Sequence, residues 1–402
     1  MFAAPLALAV LGSALSAGVI YVGPVSSGAP FQQIQPAIDA AQAGDVVIVL
    51  PSQPTSAYPG FTLAKPVFVV AATPFFSGAT ITGIAAGSTA GVSGMIGPLS
   101  VENCAGNVIA QRIGGRVRAT NAARVHVLDS TLIGIQGYKV GGVCYDAEPA
   151  LLADSSGVWV ANSTLHGGPH TSDCFPLLGA PGIRATNSSL YIARTKSTGA
   201  DAVVGFAGKL PNGLTATRST VKYVGGPGSL LMGGSMANAG SPGVGLGLED
   251  QSLAFLGADA YYAAGFVGPN PGPVSLLVDA TSQLVQLGSF FPTLASTPPI
   301  AKLGTTVSVA ASGTSGDLVF TFVALQLGPD LAIPDIDGVA VLAPASAVLF
   351  DSGAFDASGA HGFQVAVPND TALLGLVAFT QSVELSPSTG AFSNPIALPI
   401  VP

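Results

Sequence analysis

Val125-His126-Val127, Val158-Trp159-Val160, Leu190-Tyr191-Ile192, Val221-Lys222-Tyr223 and Leu253-Ala254-Phe255 share one pattern, an apolar-x-apolar triplet, and their first residues are 33, 32, 31 and 32 positions apart. A second set of short apolar segments precedes them at residues 117–119, 151–153, 183–185, 214–216 and 246–248. Turn formers stand between the two sets: Asn121, Ser155-Ser156-Gly157, Asn187-Ser188-Ser189, Arg218-Ser219-Thr220 and Asp250-Gln251-Ser252. Alternation over three or four residues marks a short strand, and a fixed period makes each strand stack on its equivalent one coil later. The pattern predicts an all-β fold, a right-handed parallel β-helix. A coil of 31 to 33 residues is long for three bare strands, so the glycine-rich remainder must leave the spine as a loop. A helical repeat of similar period is opposed by the Gly-Gly pairs and by Ser, Thr and Val in the repeated segments.

Upstream, residues 31–49 read Phe31-Gln32-Gln33-Ile34-Gln35-Pro36-Ala37-Ile38-Asp39-Ala40-Ala41-Gln42-Ala43-Gly44-Asp45-Val46-Val47-Ile48-Val49. Phe31, Ile34, Ile38 and Ala41 fall on one helical face, Gly44 suits a helix stop, and a buried strand follows. The stretch 34–49 resembles the entry cap of pectin-lyase-like β-helix proteins, whose helix plugs the open end of the solenoid and shields its first strands. That resemblance implies action on acidic polysaccharides, by lyases with aspartate-held Ca²⁺ and an Arg or Lys base, or by hydrolases with three Asp, a His and an Arg-x-Lys. Fragments of the second set are present as His166-Gly167-Gly168 and Arg194-Thr195-Lys196, with Asp129, Asp154 and Asp173 as isolated acids. These six residues, Asp129, Asp154, His166, Asp173, Arg194 and Lys196, are the catalytic candidates. The clustered carboxylates that either chemistry needs are missing.

From about residue 300 the period gives way to longer alternating segments at 305–311, 318–327, 339–342, 363–367, 373–378 and 396–401, which predict a β-sandwich. Residues 367–375, with Thr380-Gln381 and Phe392-Ser393-Asn394, resemble a C-terminal module of exported bacterial proteins. Residues 1–17 have the apolar core and small-residue end of a signal peptide, without its basic start. The expected division is a signal peptide over 1–17, a β-helix over 18–299 and a β-sandwich over 300–402.

Composition supports a folded, strand-rich chain: of 402 residues, 52 are Gly and 31 Pro, 49% are apolar and only 8% charged. So few charges leave little material for amphipathic surface helices. The net charge of −8 is unevenly spread: residues 1–222 carry 12 basic and 9 acidic side chains, whereas 223–402 carry Lys302 against 12 acids. Without a Lys/Arg cluster, nucleic acid is excluded as a partner. No apolar run after the first segment is long enough to span a bilayer. The run from His166 through His170 and Asp173 to Cys174 holds metal-ligand types, but Gly167-Gly168-Pro169 bars the helix that would align the two histidines. Asp335-Ile336-Asp337-Gly338, with Asp330, is a partial match to a calcium loop; it lacks the closing acid and reads more simply as a turn. No cofactor is expected, Ca²⁺ being the sole candidate.

In each triplet the flanking residues point inward and the middle one outward, which stacks His126, Trp159, Tyr191 and Lys222 in one column. The preceding strands add Arg118 and Arg184. Exposed rings stack on sugars and basic groups favour acidic glycans, unless the long loops simply cover the column. Cys144 and Cys174 occupy near-equivalent places on consecutive coils, within reach of a disulfide, with Cys104 to Cys144 as the competing pair. The expectation is an exported, non-catalytic surface protein that binds a polysaccharide or surface matrix, or associates with itself; a polysaccharide lyase or glycoside hydrolase is the alternative.

Overall fold

The computed structural model describes residues 18–51, 57–169, 179–201, 210–235, 242–267, 270–271, 275–287, 291–387 and 389–402. The described residues divide into two compact units, one within 18–51, 65–73 and 291–402, the other within 57–64 and 74–287.

The second unit is a right-handed parallel β-helix. One sheet has nine strands, among them Leu99–Glu102, Val117–Thr120, Leu151–Asp154, Ile183–Thr186 and Leu214–Thr217, each parallel to the next and in register. Val117, Leu151, Ile183 and Leu214 stack inside with Ala119, Ala153, Ala185 and Ala216 beside them, all fully buried. The triplets form a second sheet through Arg124–Leu128, Gly157–Ala161, Ser189–Ala193 and Thr220–Gly225. A third, shorter run follows in Thr131–Ile133, Thr164–His166, Lys196–Thr198 and Leu230–Met232.

The corners explain the turn residues. Asn121, Ser155, Asn187, Arg218 and Asp250 are all left-handed, with φ near +50°, and all but Asn121 are followed within two residues by a buried serine. Ser188 Oγ donates to Thr186 O at 2.7 Å and accepts from Ser156 N–H at 3.1 Å, while Ser219 Oγ accepts from Ser188 N–H at 3.0 Å. A serine ladder therefore satisfies backbone groups that the corner would otherwise leave orphaned, at about 1 kcal/mol per bond. A second ladder runs through Ser130 and Ser163 on the next corner.

One expected register is corrected. Val221 pairs with Ala254, so Phe255 and not Ala254 continues the outward column after Lys222. The cause is the corner at Asp250 and Gln251, where two left-handed residues replace one. The extra residue moves every later side chain to the opposite face.

In the first unit, Val19–Val22 pairs with Val46–Val49, which pairs in turn with Phe68–Phe76. The helix, Ile34–Ala40, buries Ile34, Ala37 and Ile38, and Lys65 Nζ closes its end on Asp39 O and Ala41 O. It stops earlier than the sequence implied: Ala41 is already extended, and Gly44, at φ +91°, belongs to the following turn. The antiparallel strands begin at Thr293. Thr293–Thr297, Thr306–Ser312 and Ala360–Ala366 form one antiparallel sheet, and Leu318–Ala324, Val377–Leu385 and Ile396–Val401 lie in a second that packs with it. Leu294, Val307, Val309, Val319, Phe355 and Ile396 share their core. Val46, Ile48 and Val70 of the entry strands pack with Ile300 and Val401, so this unit is built from both ends of the chain. Asp335 is left-handed in a tight hairpin where Ile333 pairs with Ile336, which makes the Asp335–Asp337 segment a turn. Among the described residues no group of three or more His, Cys, Asp or Glu converges to hold a metal ion, and no helix is long and apolar enough to cross a membrane.

Candidate functional site

The early coils are short. Leu99 stacks on Val117 eighteen residues later, whereas Val117 stacks on Leu151 thirty-four residues later. Glycine makes the short coils feasible. A Cβ on Gly97, at φ +146°, would lie 1.9 Å from Ser77 O, and one on Gly115 would lie 2.4 Å from Gly97 O. Only glycine lets the backbones approach that closely. The outward residues Thr62, Thr80, Ser100 and Arg118 form a column in register across four coils, with Thr62 and Arg118 exposed and Thr80 and Ser100 half-buried. They line a groove of about 380 Å³ together with Phe61, Pro98 and Arg116. Ser100 Oγ donates to Glu102 Oε1 at 2.7 Å. Arg116 is paired with Glu148, and its pKa is lowered by desolvation and by the neighbouring charge of Arg118. An exposed guanidinium, Arg118, in line with hydroxyl side chains is suited to a polyhydroxylated anion.

The sequence offered Arg118 only as a neighbour of the aromatic column, and did not single out Thr62, Thr80, Ser100 or Arg116. The signal was present in Ala79-Thr80-Ile81 and Leu99-Ser100-Val101, which carry the same alternation at a shorter spacing. Arg184 is exposed two coils beyond Arg118 and outside the groove lining, with Leu152 between them.

His126, Trp159, Tyr191 and Lys222 do stack in one register column. The ring centroids of His126 and Trp159 are 5.8 Å apart, and those of Trp159 and Tyr191 4.5 Å, at interplanar angles of 27° and 26°. The expected exposure is corrected for two of the four: His126 is 1% and Tyr191 7% exposed. Both His126 nitrogens and the Tyr191 hydroxyl are buried without a hydrogen-bond partner. Trp159 and Lys222 are half-buried, so the column is a packed seam and not an open platform.

No family model matches the sequence, and no curated protein matches it. Among solved structures, the enzymatically active domain of tailspike protein 2 of bacteriophage CBA120 aligns over 95% of this chain and 71% of that chain, with a TM-score of 0.28 and 9% identity. The architecture rests on the strand registers above.

The catalytic candidates separate. Asp129 and Arg194 share a corner column with Arg112 and Asn162, all left-handed with φ of 46° to 53°. Gln111 Nε2 donates to Asp129 Oδ2 at 3.0 Å. Desolvation nevertheless pushes the Asp129 carboxyl up to about 6, against hydrogen bonds from Gln111 and Asn162 and the charges of Arg112 and Arg194. Asp154 lies on the other corner of the coil, before Gly157–Ala161. That strand and its turns put roughly 20 Å between the columns, too far for the ~6.5–9.5 Å of an inverting pair. His166 and Lys196 are on the third run, where His166 Nδ1 hydrogen-bonds Thr198 Oγ1 at 2.7 Å. Desolvation and Lys196 lower the His166 pKa. His170, Asp173 and Cys174 lie outside the described residues. Cys104 is a buried free thiol and Cys144 is disulfide-bonded. Cys144 sits on a hairpin leaving the coil, so the stacked-coil register that suggested its bridge does not apply to it.

Burial gives opposite pH dependences to two groups of this unit. His126 is pushed down to about 3, first by desolvation and then by Arg124. The fold keeps it neutral while the unfolded chain takes a proton near pH 6.5, so stability is lost as pH falls below that value. Asp129 is raised, so the fold takes up its proton first and stability is gained as pH falls through 6 toward 3.8. Each slope is at most about 1.4 kcal/mol per pH unit. Urea denaturation at pH 6 and pH 4 should show His126→Phe gaining about 2 kcal/mol over wild type on acidification and Asp129→Asn losing a similar amount. Parallel behaviour of both variants would contradict these assignments.

Proposed function

We propose that the chain is an exported surface protein whose β-helix binds an acidic glycan, without cleaving it, along the groove over the short coils. The groove itself carries this reading: three hydroxyl side chains line it with Arg118, which is exposed, and Arg116, which is paired with Glu148. Adjacent coils present these groups about 4.8 Å apart, a regular ladder that suits a repeating polymer. Guanidiniums bind carboxylate or sulfate bidentately, which makes the ligand acidic. Export fits the apolar first segment and the surface poor in charge.

Affinity electrophoresis through gels containing pectate, alginate, a sulfated galactan or a neutral glucan tests the reading. Retardation is expected in at least one acidic gel and not in the neutral one. Arg118→Ala should weaken it about tenfold, and added salt should reduce it further. Equal retardation by neutral and acidic polymers, or none at all, would remove the proposal.

One observation favours the enzymatic alternative. The Asp129 carboxyl, which desolvation raises to about 6 against the charges of Arg112 and Arg194, has the protonation behaviour of a general acid. Release of new reducing or unsaturated ends by the wild type, abolished in Asp129→Asn, would establish cleavage in place of simple binding.

A further inference from the structure

The two packed sheets of the first unit do not close on each other completely. Val309, Phe363 and Val365 of one sheet and Val323, Ala378 and Leu398 of the other line a cavity of about 70 Å³. Protein interiors leave few voids larger than a water, and this one is several times the space a water needs. Thr380 is the one polar side chain in its wall. It is 2% exposed, and its Oγ1 is buried with no hydrogen-bond partner among the described residues. The next hydroxyl on the same face of Val377–Leu385 behaves differently: Ser382 Oγ hydrogen-bonds Thr321 Oγ1 at 2.8 Å. The fold thus satisfies the inward hydroxyl that packs against its neighbour and leaves unpaired the one that borders the cavity.

The cavity has a mouth. Among the described residues, Val348–Ala354 pairs only with Leu318–Ala324, and Ala360–Ala366 is the last strand of its sheet, so the two are edges. Phe350 of the first edge and Phe363 of the second, both half-buried, meet across the gap with ring centroids 5.7 Å apart and planes at 43°. Val365, half-buried, and Ala366, exposed, continue the lining outward. Beside the rings, His361 Nε2 hydrogen-bonds Asp351 Oδ2 at 2.6 Å and ties the two edges together through side chains.

Water is a poor occupant, because a buried water needs two to four polar partners and the side chains of this wall offer one hydroxyl. A partner for Thr380 must therefore arrive on an apolar body. Volume narrows the choice further: an apolar cavity of about 150 Å³ takes benzene, so one about half that size excludes a ring and admits a narrow chain. We propose that this cavity is a binding site for an unbranched aliphatic chain bearing one hydroxyl or carbonyl group, which enters between Phe350 and Phe363 and hydrogen-bonds the Thr380 hydroxyl. That hydroxyl can donate to a carbonyl and can donate to or accept from an alcohol. The site stands independently of the groove, since none of its lining residues belongs to the β-helix unit.

The test titrates the full chain with 1-hexanol, cyclohexanol and xenon while the valine methyl groups are followed by NMR, so that the methyls of Val309, Val323 and Val365 report where each probe binds. Wild type should take up 1-hexanol and xenon at these valines, and cyclohexanol about tenfold more weakly than 1-hexanol. Thr380→Val keeps the shape of the wall without the hydroxyl; it should bind 1-hexanol about fivefold more weakly, bind xenon as wild type does, and melt no lower than wild type, since an unpaired buried hydroxyl is removed. Ala378→Leu fills the space and should abolish uptake of both probes while the remaining methyl spectrum stays native. No shift of these valines up to the solubility limit of 1-hexanol would overturn the site and leave a packing void. Equal affinity for cyclohexanol would overturn the unbranched ligand class. Unchanged 1-hexanol affinity in Thr380→Val would overturn the role of the hydroxyl, and binding that survives Ala378→Leu would place the probes elsewhere and overturn the proposal.

Discussion

Replacing Gly167 with alanine is expected to destabilise the β-helix by at least about 3 kcal/mol, lowering the melting temperature by roughly 6–12 °C. A Cβ there would lie 1.9 Å from Ala180 O and 2.8 Å from its carbonyl carbon. Neither atom can yield, because the crossing segment is itself tied in place: Ala180 N–H donates to Gly168 O at 2.9 Å, and Gly167 N–H donates to Thr198 O at 2.9 Å. The same clash recurs at Gly233 against Gly243 O and at Gly265 against Gly234 O. Gly167 and Gly233 mark a pinch where the backbone before an excursion meets the backbone after it, whereas Gly265 meets the preceding coil. Gly142→Ala is the control: its φ of +85° strains a side chain, but nothing lies within 4 Å, so it should cost only about 1 kcal/mol. Thermal melts of both variants decide the matter. Similar small losses in the two would mean the pinch is not close-packed.

Trp159→Ala should cost about 2–4 kcal/mol and leave glycan affinity within twofold of wild type. Trp159 is the middle ring of a seam whose outer members, His126 and Tyr191, are buried. Its removal opens a gap between two rings that already bury unpartnered polar atoms, and water entering to reach those atoms offsets part of the loss. Trp159→Phe retains a ring and should recover most of the stability. A stable Trp159→Ala variant with a large loss of glycan affinity would instead make the seam a binding face.

The solenoid was legible because one physical requirement, an apolar core renewed at every coil, imprints a period. The serine ladder was legible only as turns. A buried Ser188 and an exposed Ser189 look alike in sequence, and what separates them is that the left-handed Asn187 directs one hydroxyl inward. Exposure was the weakest inference for a related reason. Alternation tells whether His126 points into the core or away from it, but not what lies over the outward face. The groove was obscured by spacing: its coils are eighteen to twenty residues long and fall outside the 31–33 period, so Thr80 and Ser100 did not align with the triplets downstream. The hairpin that carries Cys144 had a readable signal in Val140-Gly141-Gly142-Val143, masked by its position inside a stretch taken for coil loop.

The most direct test is a crystal structure of the full chain with a bound oligomer of the acidic polysaccharide that retards it. The account predicts density for consecutive sugars over Thr62, Thr80 and Ser100, with an anionic group bidentate to Arg118. Density centred on the Asp129–Arg194 corner, or on the Trp159 seam with the groove empty, would contradict it.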